Sequence, residues 1–446
     1  MNDTIAKESR TPQQFFYCFR VVPNNWTRAF THIVMTIVFV GLLAWNMLLV
    51  SRLATSLRMN DFGRFYYSAA MFWQGKDMYG SRSENIDLIP GLLQGGNMNP
   101  PHFHLLLLPL ALLSPKSALV LWGVISLLCL LTSLRIIARE AILSLTPRQR
   151  WVGGLGLLGF SGTAMVLVTG QLSFLLLLPV TLAWAAARKG SWSTAAGYLG
   201  IAMSVKPFLL IFLPYFVLGR RWRAVTIATG ITLLCFVLGG VVFGIEAHWA
   251  WGRTLAAVNW EWNSMNASIL GFLKRSLSES PGLSPLVFAP DLVQLLWVAL
   301  IGLTGLFTFL VCLSGAEKAH VDRAFALLLL SALLISPLGW AYYLWLPIGP
   351  LIALAASWWS GCKSEIPAIQ NALRWRNLLW LAAIPGLVCP PFNNLLFLHH
   401  RWATLTIGSI YFWSTLFLWI SLIVDWRIAG GTFAEAYETI VRLRKA

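Results

Sequence analysis

Charge is what this chain has least of. Only 11% of its 446 residues are Asp, Glu, Lys or Arg, and the acids number 17 in all. A soluble protein of this length needs far more polar surface, so a soluble fold is excluded. Cysteine is also sparse. The six residues Cys18, Cys129, Cys235, Cys312, Cys362 and Cys389 are scattered, and none forms a Cys-x-x-Cys pair. That pattern suggests neither a zinc site nor a disulfide framework. Short alternating apolar segments are missing too, which argues against a β-barrel. Residues 1–26 are polar and mixed, unlike a cleavable signal, and no convincing internal repeat is visible.

What remains is apolar. Hydrophobic residues make up 57% of the chain, and the mean hydropathy is +0.69. The apolar runs are long and continuous, so the expectation is an all-α polytopic membrane protein. The 23 tryptophans gather at run ends, as interfacial anchors do. The formal net charge is +16, with a pI near 10.0. The cations are dispersed among the apolar runs, so they fit membrane orientation and not nucleic acid.

Positive charge on the cytoplasmic side orders the crossings. Lys7, Arg10, Arg20 and Arg28 put the N-terminus inside, and the first run, 31–50, leads out. The chain then alternates through about twelve crossings, both termini inside. It reads as one integral domain over 1–446, with two large outward loops, 51–117 and 244–290. The short piece after Asn99-Pro100-Pro101 is too brief to span and reads as re-entrant or interfacial. The run 194–218 is expected to break at Lys206-Pro207, because proline cannot donate a helical hydrogen bond. Lys206 is then a costly cation near the outer face.

The stretch Asp61 to Tyr79 draws most attention. It gathers Asp61, Arg64, Tyr66, Tyr67, Lys76, Asp77 and Tyr79 just after an apolar run. Phe62, Phe65, Ala69, Phe72 and Trp73 fall at helical spacing, which predicts a helix lying on the membrane with Asp61 at its start and Gly75 at its end. Several cations break the inside rule: Arg52, Arg58, Arg64, Lys76, Arg82, Lys206, Arg253, Lys274, Arg275 and Arg401. Outward cations in such numbers suggest an anionic partner, either a lipid headgroup or a phosphate-bearing substrate. His102 and His104 lack a third ligand nearby and His399 and His400 sit at a span end, so no metal is expected.

The Asp-Phe-x-x-Tyr-Tyr…Gly-x-Asp-x-Tyr pattern of Asp61 to Tyr79 resembles glycosyltransferase family 87. Other pieces follow in the same order: Pro100-Pro101 with Pro109-Leu110-Ala111, Gly170-Gln171, Lys206-Pro207, Arg220-Arg221-Trp222-Arg223, Asn266-Ala267-Ser268 and Ser336-Pro337-Leu338-Gly339-Trp340. The resemblance implies a GT-C fold at the inner membrane, facing outward. It implies metal-free, inverting transfer of a hexose, often mannose, from a polyprenyl-phosphate carrier to a lipid or glycan acceptor, with no cofactor. The family's general base maps onto Asp61. Two positions depart from the pattern. Tyr342 and Tyr343 stand where members often carry a histidine, and Ala267 replaces a glutamine.

On that basis Asp61 is the expected base, with Asp77 as its rival. Lys206, Lys274, Arg275 and Arg64 are the expected phosphate ligands, because a phosphate leaving group is stabilised by cations. Asp77, Tyr67, Gln171, Asn266, Trp340, Tyr342 and Tyr343 are the candidates for holding sugar or acceptor. The competing class is a twelve-helix transporter or flippase of a lipid-linked or small anionic substrate. It would share the cations without needing one placed carboxylate.

Overall fold

A computed structural model describes residues 25–56, 59–80, 97–141, 147–280, 284–313, 318–361, 367–389 and 401–432. Lys7, Arg10, Arg20, Cys18, Arg58, Arg82, Cys362, His399, His400 and the chain after 432 lie outside them. Among the described residues the named elements are all helical. One isolated antiparallel bridge joins Asn266 to Trp340.

Among the described residues, five stretches are long and apolar enough to cross a membrane: Ile33–Trp73, Pro115–Glu140, Trp222–Phe243, Pro290–Leu313 and Arg401–Ile428. The pair Trp151–Gly159 and Ser161–Thr169, bent by 55°, makes a sixth if it is one span. This is fewer than the twelve read from the sequence. Several of the expected crossings are short apolar helices instead, among them Ser173–Arg188, Pro207–Leu218 and Ile348–Trp358.

The breaks have local causes. The helix Trp192–Val205 stops at Lys206, whose φ of −132° and ψ of 96° are extended. Pro207 favours that conformation in the residue before it. A 3-10 turn, Pro207–Ile211, and a short helix, Phe212–Leu218, follow. The piece after Pro100 makes only 3-10 turns, Pro101–Leu106 and Leu110–Leu112. The expected helix at Asp61 runs Asn60–Trp73, and Gly75 follows its end at a φ of +67°. Phe62, Phe65 and Ala69 are buried along one face. Trp73 is the exception to the apolar stripe. It is exposed, and its indole donates to the Leu108 carbonyl at 3.0 Å.

The bundle has two polar ends. At one end Arg188 pairs with Asp322 at 3.1 Å and lies 3.7 Å from Glu140, and Lys189 reaches Glu140 at 2.9 Å. Beside them Arg323 and Arg376 share Asp425, at 2.9 and 3.1 Å. Glu140, Arg188 and Asp425 sit near the C-terminal ends of Pro115–Glu140, Ser173–Arg188 and Ile410–Ile428, and Asp322 near the start of Lys318–Ile335. The opposite ends of these same helices meet the segments carrying Gln171, Trp340 and Ser409. At 1.5 Å per residue, Pro115–Glu140 separates the two ends by about 39 Å.

Candidate active site

Asp61 occupies the first turn of its helix, where the free backbone N–H groups and the dipole favour a carboxylate. Met59 and Asn60, just before it, both take left-handed backbone (φ 45° and 46°). This sharp entry swings the helix start toward Gly170-Gln171. Gly170 has a φ of +69°, and a Cβ there would lie 2.6 Å from the Phe62 Cβ. Only glycine gives both the backbone conformation and the room. With the loop seated this closely, Gln171 Nε2 donates to Asp61 Oδ2 at 2.6 Å. Arg64 Nη1 donates to Oδ1 at 3.3 Å, one turn along the helix. Both carboxylate oxygens are thus held, while the Asp61 side chain stays 23% exposed.

Lys206 projects from the helix break into the same region. Its Nζ donates to Asn99 Oδ1 at 2.7 Å and lies 5.7 Å from the centre of the Tyr343 ring, within cation–π reach. The charge of Asp61 acts on Lys206, Tyr342 and Tyr343, and that of Arg64 on Tyr342. Asp61, Arg64, Lys206, Tyr342 and Tyr343 therefore gather in one place. Tyr342 and Tyr343 pack edge-on at 4.7 Å, with Phe208 at 5.0 Å from Tyr343. Trp340 stacks on Tyr342 with ring centres 6.1 Å apart. Its Nε1 is buried with no hydrogen-bond partner among the described residues, a free donor for a ligand hydroxyl.

The two tyrosines and Trp340 are presented by a clasp. Asn266 is fully buried. Its amide donates to the Glu261 and Pro337 carbonyls, both at 2.8 Å, and its oxygen accepts from Gly339 N at 2.9 Å and Ser268 N at 3.1 Å. Ala267 N donates to Gly339 O, and Ala341 N to Met265 O. A Cβ on Gly339 would lie 2.0 Å from the Leu333 carbonyl oxygen, so the turn admits only glycine.

Several expected ligands have other work. Asn266 spends two donors and two acceptor positions on backbone, leaving nothing for a sugar. Arg275 is 1% exposed. Its Nε donates to Ser409 Oγ at 3.0 Å, and Nη1 donates to the carbonyls of Asn263 and Asn266 at 2.8 and 3.1 Å. It ties the clasp to the start of the helix Ile410–Ile428 through Nε and Nη1, while its Nη2 is buried without a hydrogen-bond partner among the described residues. Lys274 pairs with Glu261 at 2.9 Å. Gln171 holds the carboxylate and does not stand free for a hydroxyl. Asp77 Oδ1 accepts from Tyr79 N at 2.9 Å, shaping the turn after the Asp61 helix. Tyr67 packs edge-on against Tyr66 at 5.2 Å within that helix.

Asn97, Asn99 and Ser68 were not singled out in the sequence, yet they form the polar floor under Lys206. Asn97 Nδ2 donates to Ser68 Oγ at 2.8 Å and lies 2.6 Å from His104 Nε2. Ser68 Oγ donates to the Met78 carbonyl. Burial pushes His104 down to about 4, so the ring is neutral. Burial first, and Asp77 second, push Tyr79 well above the usual phenol range, and its hydroxyl donates to the Asn99 carbonyl at 2.6 Å. The only sequence signal was position: Asn99 immediately precedes Pro100-Pro101. His102 turns away, with Nε2 3.0 Å from the Ser204 carbonyl. No group of three or more His, Cys, Asp or Glu side chains among the described residues could hold a metal ion.

A family model described as glycosyltransferase family 87 matches residues 97–337, more than half of the chain. The match takes in Asn99, Gln171, Lys206 and Asn266 and begins after Asp61. Comparisons with curated proteins and with solved structures find no match.

Proposed function

Because this chain belongs to glycosyltransferase family 87, we propose that it is a GT-C membrane enzyme moving a hexose from a polyprenyl-phosphate carrier. The acceptor is a lipid or glycan at the outer face of the inner membrane, and mannose is the first sugar to test. In this reading the long and short helices together make about twelve crossings, both termini inside.

Asp61 is the base. It takes the proton from an acceptor hydroxyl, whose oxygen attacks the anomeric carbon. The bond from that carbon to the phosphate oxygen breaks, and the electron pair leaves on the lipid phosphate. One carboxylate and no covalent intermediate give inversion. Lys206 stabilises the charge that develops on the leaving phosphate, with Arg64 beside it. Trp340, Tyr342 and Tyr343 line the sugar, and Gln171 aims the base. Lys274 and Arg275, first considered as phosphate ligands, hold the clasp.

The observation that carries this reading is the meeting of Asp61 and Lys206 at Tyr343, whose ring centre lies 5.7 Å from the Lys206 Nζ, a carboxylate and a cation at one centre. The test is reconstitution of the full chain in vesicles with a panel of polyprenyl-phosphate sugars and a lipid acceptor extract. Acceptor-dependent release of polyprenyl phosphate is expected. Movement of the intact donor between leaflets without release would favour a flippase instead.

A further inference from the structure

Lys206 has an unusual partner for a cation inside an apolar protein. Among the described residues no carboxylate comes within ion-pair distance of its Nζ, and the hydrogen bond it makes is to a neutral amide oxygen, Asn99 Oδ1, at 2.7 Å. Other enclosed cations differ: Arg323 and Arg376 share Asp425 and half-buried Arg188 pairs with Asp322, while Arg275 is held by backbone carbonyls and a hydroxyl. Asn99 itself is 2% exposed and held on three sides. Its N–H and its Nδ2 donate to Asn97 Oδ1 at 3.0 and 3.2 Å, and its carbonyl accepts from Tyr79. Asn97, 1% exposed, is fixed in turn by Ser68 on the Asp61 helix and by His104. The two amide nitrogens find their acceptors inside this network. That leaves Asn99 Oδ1 pointing at the ammonium.

We propose that Asn99 is the positioning residue for Lys206, and that its neutrality is the point. An amide oxygen fixes the direction of the ammonium without cancelling its charge. A carboxylate in the same place would fix it equally well and neutralise it, competing with the donor phosphate. Asn97 extends the link to Ser68, so the helix that carries the base and the lysine that meets the phosphate are aligned through one buried network. This inference rests on the phosphate-binding role given to Lys206 above.

The experiment uses the full chain in detergent and vesicles, with polyprenyl phosphate as the binding probe and a polyprenyl-phosphate hexose as substrate. The variants are Asn99→Asp, Asn99→Ala, Lys206→Met and the double variant Asn99→Ala with Lys206→Met. Asn99→Asp keeps the size of the side chain and an acceptor facing Lys206 but loses the Nδ2 donation to Asn97 Oδ1, so its melting temperature falls somewhat, and on matched amounts of folded protein its Kd for polyprenyl phosphate rises about tenfold. Asn99→Ala lowers kcat/KM by about tenfold to a hundredfold, as misplacement of a reacting group does. The double variant is no worse than Lys206→Met alone, because Asn99 acts through the lysine. A double variant worse than Lys206→Met by the full Asn99→Ala factor, or an Asn99→Asp protein that binds polyprenyl phosphate like wild type, overturns the proposal. Wild-type protein that neither binds polyprenyl phosphate nor consumes the donor overturns the polyprenyl-phosphate donor reading, and this inference with it.

Discussion

At the scale of single residues, burial divides the polar groups into two kinds. Asn266 is buried and saturated by backbone groups, and Arg275 is buried and held through Nε and Nη1 by the Ser409 hydroxyl and backbone carbonyls. Asp61 is held by Gln171 and by Arg64 at 3.3 Å while staying part-exposed, and Lys206 is held by the neutral amide of Asn99. Their substitutions separate accordingly. Asn266→Ala strands the Gly339 and Ser268 N–H groups and two carbonyls, and should cost about 3 kcal/mol or more. The check is a fall in melting temperature in detergent and in the amount of protein in the membrane. Gln171→Ala removes the acceptor of one backbone N–H, that of Leu172, and frees one oxygen of Asp61. Here kcat should drop about tenfold or more with little change in donor KM, because the base loses its aim and not its charge. Steady-state kinetics against the donor would read this directly. A melting loss that fully accounts for the lost rate would remove Gln171 from the mechanism.

At the scale of elements, the site is assembled by breaks. Pro207 stops one helix so that Lys206 can leave it, and Gly170 lets a loop meet the Asp61 helix at van der Waals contact. Gly170→Ala meets two obstacles at once, the positive φ and a Cβ 2.6 Å from Phe62. It should cost about 1 kcal/mol for the backbone alone, and more for the clash. Transfer activity should fall further than stability, since the displaced helix carries the base. Thermal unfolding and turnover measured on the same preparation test this. Retained activity at wild-type level would show that the loop does not set the helix.

Much of this element-level design could be read from the chain. Proline after Lys206, the apolar stripe from Phe62 to Ala69 and Gly75 each signal a local event that physics makes nearly obligatory. The site was only half as legible. Charge and order drew attention to Asp61 and Lys206, but the same signals drew it to Lys274 and Arg275, whose partners are backbone groups and Glu261 from the same loop. A sequence records that a cation exists and not whether carbonyls fold over it. Asn97 and Asn99 carry neither period nor charge, so nothing local separates them from loop asparagines. Apolar runs give length on paper, and breaks at residues such as Phe160 and Pro207 divide it into pieces shorter than a bilayer.

At the scale of the whole molecule, the two polar ends have opposite character. One is a closed set of ion pairs, Glu140 to Arg188 to Asp322 and Arg323 to Asp425 to Arg376, which locks helix ends together. The other holds Asp61 and Lys206 in an open, partly exposed arrangement. The account predicts that these ends face opposite sides of the membrane. In intact cells a cysteine in place of exposed Gln74 should react with a membrane-impermeant maleimide, and one in place of exposed Arg223 should react only after permeabilisation. Labelling of both from outside, or the reverse order, would invalidate the outward-facing site.

The most direct measurement is transfer by reconstituted Asp61→Asn protein, matched to wild type in amount and melting temperature, with the product's anomeric configuration read by NMR. Wild type should yield the inverted anomer, and the variant should be slower by about a hundredfold to ten-thousandfold, as loss of a general base requires. Transfer at an undiminished rate by the variant, or retention of configuration by the wild type, would contradict a single carboxylate acting as base at this centre.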